Sequence, residues 1–190
     1  MFSLTIVTPD GQEKSARLEL TELAQIVAAS NFKQRSRMTM LYYHAELRNY
    51  AVVGTPNKNE QGQGFFVKHG DGGFDLGPIA HLYKTQVYQL ARHLDVPEAI
   101  QKRTPTSYTY SAPATQEEFF FRLPYETMDL LWYAQENEVS VEETALAMDM
   151  TPDQVSNAFD DFTRKRRTTH YLRAAPLDMV CLGHPVPEAV

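Results

Sequence analysis

Residues 50–55 read Tyr50-Ala51-Val52-Val53-Gly54-Thr55, a short continuous apolar run that ends on a glycine and a hydroxyl. A run this short, apolar throughout and bounded by turn residues, predicts a buried parallel strand of an α/β sheet. The flanks agree. Upstream, Asn31 to Asn49 predicts a helix containing RSRMTMLYYHAELR. Before it, Leu18 to Ala29 carries Leu18, Leu20, Leu23, Ile26 and Val27 at helical spacing, predicting another. Leu4 to Val7 is a β-rich run ended by the turn signal Pro9-Asp10-Gly11.

Downstream, Pro56 to Gly77 predicts a loop, because seven of the chain's nine glycines fall between Gly54 and Gly77. A helix from Pro78 to Leu94 follows. Proline suits a first turn, and Ile79, Leu82, Tyr83, Val87, Leu90, Ala91 and Leu94 form its apolar face. Thr104-Pro105-Thr106 opens a loop running to about Gln116. Helices are expected near 123–137, 140–149 and 151–165, then an irregular tail with Pro176, Pro185 and Pro187. The division expected is one α/β domain over 1–172 and a tail over 173–190.

Composition narrows the function classes. At 43% hydrophobic and 22% charged, the 190 residues are those of an ordinary globular chain. A net charge of −6 argues against a nucleic-acid platform, which needs concentrated lysine and arginine. No apolar run approaches the roughly 20 residues of a membrane span, and the N-terminus lacks the basic and apolar regions of a signal peptide. The single cysteine, Cys181, excludes an intrachain disulfide and reads as an ordinary thiol. A cytoplasmic location fits. The six histidines, His69 in the glycine-rich loop among them, show no metal-ligand spacing.

The polar residues near the strand carry the chemistry. Ligands of open α/β sheets lie beyond the carboxyl ends of strands, where Thr55 sits. Glu60 follows five residues later, and the segment KHGDGGFD brings Lys68, Asp71 and Asp75. Lys84 and Thr106 add a cation and a hydroxyl. A nucleotide site uses this mix: cations and hydroxyls for phosphates, and a carboxylate for magnesium. A solvated, helix-capping loop would use the same residue types.

The wording of the motifs separates these readings. NFKQRSRM at 31–38, VVGTPNKNE at 52–60, GFFVKHGDGGFDLGPIAHLYKTQVYQLA at 64–91 and PTS at 105–107 together resemble the NAD synthetase family. The resemblance covers roughly residues 30 to 172 and implies an incomplete Rossmann-like parallel sheet, of the adenine nucleotide alpha hydrolase type, with a C-terminal helical part. It implies that Arg35, Lys68, Asp75 and Lys165 bind deamido-NAD, that Thr55, Lys84 and Thr106 bind ATP, and that Glu60 ligates Mg2+. Near the C-terminus the family carries a His-Lys pair; here Lys165 matches and Arg164 stands at the histidine position. The implied activity is ATP-dependent amidation of deamido-NAD to NAD through an adenylated intermediate. Ammonia would come from solution or a separate glutaminase, and the resemblance implies a homodimer.

Family members also carry an SGGxDS phosphate loop, and the 190 residues contain no such motif. The expectation is therefore an N-terminally truncated fragment, ahead of a split-enzyme half or a degenerate homologue, inactive by itself. Two other classes stay open. Val139 to Arg167 has the pattern of a helix-turn-helix DNA-binding regulator, although Asp153, Asp160 and Asp161 would face phosphates unfavourably. Met38, Met40, Leu41, Tyr42 and Tyr43 would suit a non-catalytic interaction module.

Overall fold

The computed structural model describes residues 2–106 and 115–177. Ser107 of the PTS motif, Cys181, His184 and the proline-bearing end of the tail lie outside the described residues. The chain opens on an antiparallel hairpin, β1 (Phe2–Val7) and β2 (Glu13–Leu18), with Phe2 opposite Leu18 and Val7 opposite Glu13. Its turn is the Pro9-Asp10-Gly11 signal, where Gly11 adopts φ 82° and its amide bonds Thr8 O at 2.8 Å. The second strand goes beyond what the sequence predicts. Its residues, EKSARL, are too polar to signal one, and all but Leu18 are exposed.

Helix α1 spans Leu20–Glu46 without interruption, in place of the two helices expected. Ser30 and Asn31 favour caps, but neither breaks a helix, and no glycine or proline separates the two apolar patterns. The Glu19 amide starts the helix by donating to Glu22 Oε2 at 2.9 Å. Most of α1 stays uncovered: Ala45 is its one buried residue among those described.

The run 50–55 departs further from expectation. It is extended, but its parallel pairing is confined to a single bridge between Val53 and Leu76. Burial alternates, with Val52 covered and Val53 57% exposed, in place of burial on both faces. The cause is one-sided support: Gly54 N and Leu76 N bond Leu76 O and Val52 O, while no described strand flanks the other side. Short helix α2 (Lys58–Gln63) follows, capped by Asn57, whose side chain accepts from Glu60 N at 3.0 Å.

Helix α3 begins at Lys84 and ends at His93, six residues later than Pro78 suggests. Tyr83 N is held locally by Gln86, and the next two amides are held from afar: Lys84 N by Asn59 and Thr85 N by Asp129. Those bonds fix the start, and 78–81 are turns. After α4 (Glu98–Gln101) come a π-helical turn (Glu117–Phe121), α5 (Tyr125–Glu136), α6 (Val141–Met148), α7 (Pro152–Thr168) and α8 (His170–Arg173).

The core belongs to these later helices. Met128, Leu131 and Trp132 of α5 pack with Val155 and Phe162 of α7, all essentially sealed from solvent. Each large side chain so buried is worth about 1.5–3 kcal/mol. Trp132 stacks on Phe162 with ring centroids 5.5 Å apart. The candidate recognition helix α7 therefore spends its apolar face inside the domain and leaves Asp153 and Asp160 exposed. That arrangement favours a closing helix over a DNA reader. No helix among the described residues is long and apolar enough to cross a membrane.

Candidate active site

A cavity of about 750 Å³ opens between α1, the segment 52–56, α2, the loop 64–73 and the π-helical turn. Three expected residues converge on it: Thr55, Glu60 and Thr106. Asp71 lines it too, its Oδ1 accepting the Val67 amide at 2.8 Å. Glu60 stands in the first turn of α2, where Oε2 accepts Asn57 N at 3.0 Å. Burial pushes its carboxyl up from the usual range; Lys84 opposes that shift and Asp71 adds to it. Desolvation likewise raises Asp71, against the pull of Arg37 across the cavity. Two carboxyls and the Arg37 cation thus line one space, while Lys84, which does not line it, acts on Glu60 electrostatically from beside it.

The Lys84 ammonium lies over the rings of Tyr88 and Tyr125, 5.7 and 5.4 Å from their centroids. Burial raises the pKa of both phenols, and Glu60 contributes to each. Those rings stay neutral and present an electron-rich face to the cation.

The four residues expected on the deamido-NAD side do not line the cavity. Arg35 Nε donates to Lys68 O at 3.1 Å, fastening α1 to the glycine-rich loop. Lys68 Nζ donates to the carbonyls of Tyr171 and Ala174, both at 3.0 Å, around the end of α8. Asp75 accepts from Val52 N at 2.7 Å and the Tyr42 hydroxyl at 3.0 Å, binding the 50–55 segment to α1. Lys165 pairs with Asp161 at 2.7 Å, donates to Phe120 O at 2.9 Å and lies 4.8 Å over the Phe120 ring. Burial lowers the Lys165 pKa, with Asp161 working against that. Arg164 turns to Asp161 and is mostly exposed.

An aromatic wall goes beyond the residues that sequence reasoning singles out. Phe65, Phe66, Phe119 and Phe120 face the cavity, with Phe65 and Phe120 stacked at 4.6 Å. Its sequence signal is the phenylalanine doublet at 65–66 and triplet at 119–121, which reads equally well as core. The triplet belongs to the π-helical turn, closed by Arg122 at φ 64°. Such turns aim side chains that a regular helix would turn away, and they recur at functional sites.

Residues 7–175 match the sequence profile of the family described as NAD synthase. The chain belongs to that family. The NH3-dependent NAD+ synthetase of Rhizobium rhizogenes is 52% identical over 177 residues, covering 93% of this chain and 53% of that protein. The Rhizobium meliloti enzyme of the same name is 48% identical, covering 98% and 54%. The chain thus spans about half the length of the curated relatives it matches. Among solved structures, an NMN synthetase from Francisella tularensis superposes with TM-score 0.60 at 26% identity, over 80% of this chain and 56% of that one. An NH3-dependent NAD synthetase from Campylobacter jejuni superposes with TM-score 0.57 at 24% identity, over 86% and 57%, a likeness of fold. The architecture is the α/β type of the NAD synthases, here helix-rich with a small sheet.

Proposed function

We propose that this cavity is the ATP-facing part of an active site that amidates deamido-NAD with ammonia to give NAD. The observation that carries the reading is the convergence of Thr55, Glu60 and Thr106 on one cavity, with Lys84 in electrostatic reach of Glu60. In the reaction, a nicotinate carboxylate oxygen attacks the α-phosphorus of ATP and pyrophosphate leaves. Ammonia then attacks the activated carbonyl carbon, releasing AMP and a proton. No side-chain nucleophile is required.

The donor set suits magnesium. Glu60 and Asp71 are hard oxygen ligands on the cavity wall, and no cluster of three or more His, Cys, Asp or Glu builds a protein cage among the described residues. Magnesium takes one or two carboxylates and draws its other ligands from phosphate and water. When bound, it neutralises charge on the leaving pyrophosphate. The Lys84 ammonium adds a compact positive charge, and the hydroxyls of Thr55 and Thr106 donate to nucleotide oxygens. The aromatic wall excludes water from an activated carboxyl.

Arg35, Lys68, Asp75 and Lys165 belong to the deamido-NAD side of this proposal, where binding costs the exchange of their present partners. We also infer a cytoplasmic homodimer, with ammonia taken from solution or from a separate glutaminase. The exposed apolar side chains of α1, Leu20, Phe32 and Met40 among them, support the dimer.

Calorimetric titration of the 190-residue chain tests the core of the proposal. Saturable, magnesium-dependent ATP binding is expected, weak, and lost in Glu60→Ala. Deamido-NAD is titrated in parallel, with the mononucleotide beside it because of the likeness to an NMN synthetase. No magnesium-dependent ATP binding at millimolar ligand overturns the reading.

A further inference from the structure

Asp129 lies in the middle of α5, 4% exposed, and does not line the cavity. A buried carboxylate is costly unless its oxygens are hydrogen-bonded. Here both oxygens have partners: Oδ1 accepts from Asn59 Nδ2, and Oδ2 accepts from Thr85 N at 2.8 Å. Asn59 is fully buried, and its own Oδ1 accepts from Lys84 N at 3.2 Å. The result is a closed ring, Asp129 to Asn59 to Lys84–Thr85 and back to Asp129, joining α5, α2 and the start of α3.

Two facts make this ring more than packing. Asn59 immediately precedes Glu60, and Thr85 immediately follows Lys84. The amides it holds are first-turn amides of α3, which have no partner inside the helix. A carboxylate there is favoured by the helix dipole as well as by charge-assisted bonds. We infer that Asp129 is a positioning residue that sets the spacing between the Glu60 carboxylate and the Lys84 ammonium, and so tunes the site for a magnesium nucleotide. The inference rests on the reading of Glu60 and Lys84 given above. Asp129 touches no substrate; it acts through Asn59 and Thr85.

The ring can be broken and rebuilt with two isosteric changes. In Asp129→Asn one oxygen becomes an amide nitrogen, which cannot accept from either donor. In Asn59→Asp a second carboxylate faces Asp129. The pair Asn59→Asp/Asp129→Asn reverses the bond between the two side chains. The new amide at position 129 donates to the new carboxylate at position 59, and its oxygen accepts from Thr85 N. The carboxylate at position 59 still accepts from Lys84 N. The full chain and the three variants are checked for folding by circular dichroism. They are then titrated with ATP, with and without magnesium, and followed by hydrogen exchange at residues 84–86. Each single change is expected to weaken magnesium-dependent ATP binding roughly tenfold or more, the factor for one charge-assisted bond lost. Exchange at 84–86 should quicken in step, and the double exchange should restore both.

Singles that fold and keep wild-type binding and exchange overturn the inference. So does a double variant no better than its parents. If the unaltered chain shows no magnesium-dependent binding, the functional reading fails by itself. The positioning role then fails with it if exchange is unchanged in the singles, and survives as a geometric clamp if exchange quickens and is restored.

Discussion

Replacing Gly64 by alanine should destabilise the fold through two separable terms. Gly64 ends α2 at φ 78°, ψ 32°, with its amide bonded to Glu60 O. A non-glycine residue in that left-handed conformation costs about 1–2 kcal/mol. The added Cβ would also overlap the Cβ, Oγ1 and Cγ2 of Thr169. Thr169 cannot yield freely, because its one hydroxyl proton is shared between Lys165 O at 2.6 Å and Gln63 O at 3.3 Å. Leaving that hydroxyl without its acceptors costs about 1–3 kcal/mol. The sum is about 2–5 kcal/mol, a fall in Tm of roughly 4–20 °C for a domain of this size. Gly11→Ala is the control. Its φ is 82°, yet a Cβ there meets nothing within 4 Å, so only the conformational cost of about 1–2 kcal/mol remains. Differential scanning calorimetry on the two variants reads the difference. Equal shifts would refute the claim that Thr169 locks the end of α2, and with it the cavity edge at Gly64, to α7.

Glu60→Gln should remove magnesium-dependent nucleotide binding while leaving Tm equal or higher, since burial already disfavours the Glu60 charge. The sign follows from the raised pKa: the protonated carboxyl favours folding at low pH, and that contribution is lost as pH rises through the folded-state value. Stability-versus-pH curves of wild type and Glu60→Gln should therefore diverge toward neutral pH; parallel curves would contradict it. Asp75→Asn should cost about 1–3 kcal/mol through its bonds to Val52 N and Tyr42, read as faster hydrogen exchange at Val52, and unchanged exchange would count against the tie. The 190 residues alone should make no NAD from deamido-NAD, ATP and ammonia, and steady turnover in a coupled assay would overturn that expectation. Light scattering should find self-association through the exposed apolar side chains of α1; a monodisperse monomer would remove that support for a dimer.

How far the sequence can be read depends on where each element finds its partners. Helices α6 and α7 are legible because they carry their own caps. Ser140 accepts Glu143 N at 3.1 Å, and Thr151 with Pro152 opens α7 through a bond from Gln154 N at 3.2 Å. Sequence pattern starts helix α3 six residues early because, beside the local bond from Tyr83 N to Gln86, its first two helical amides are capped by Asn59 and Asp129, 25 and 44 residues away in sequence. Local pattern cannot see such partners. The 50–55 run predicts burial on both faces, but burial is a property of neighbours, and here Leu76 supplies one flank only. In the site, motif wording picks out Thr55, Glu60 and Thr106. It does not pick out the aromatic wall, because paired phenylalanines carry no mark that separates cavity from core.

These partnerships divide the molecule unevenly, and the division bears on the chemistry. Ion pairs and buried rings lock the helical side: Lys58 and the Tyr83 hydroxyl both bond Glu136, and Asp129 joins α2, α3 and α5. Burial and the Glu136 carboxylate keep the Tyr83 phenol well above its ordinary pKa, so it stays a neutral donor to that carboxylate. Across the cavity, α1 and the 50–55 run are held to the rest by fewer links, chiefly Asp75, Arg35 and the Val53–Leu76 bridge. Glu60 and Lys84 sit on the locked side, Thr55 on the looser one. A phosphate chain that spans both would therefore bring Thr55 to a fixed Glu60–Lys84 pair. On that argument, ligand binding should slow hydrogen exchange first at 50–55 and least at α5.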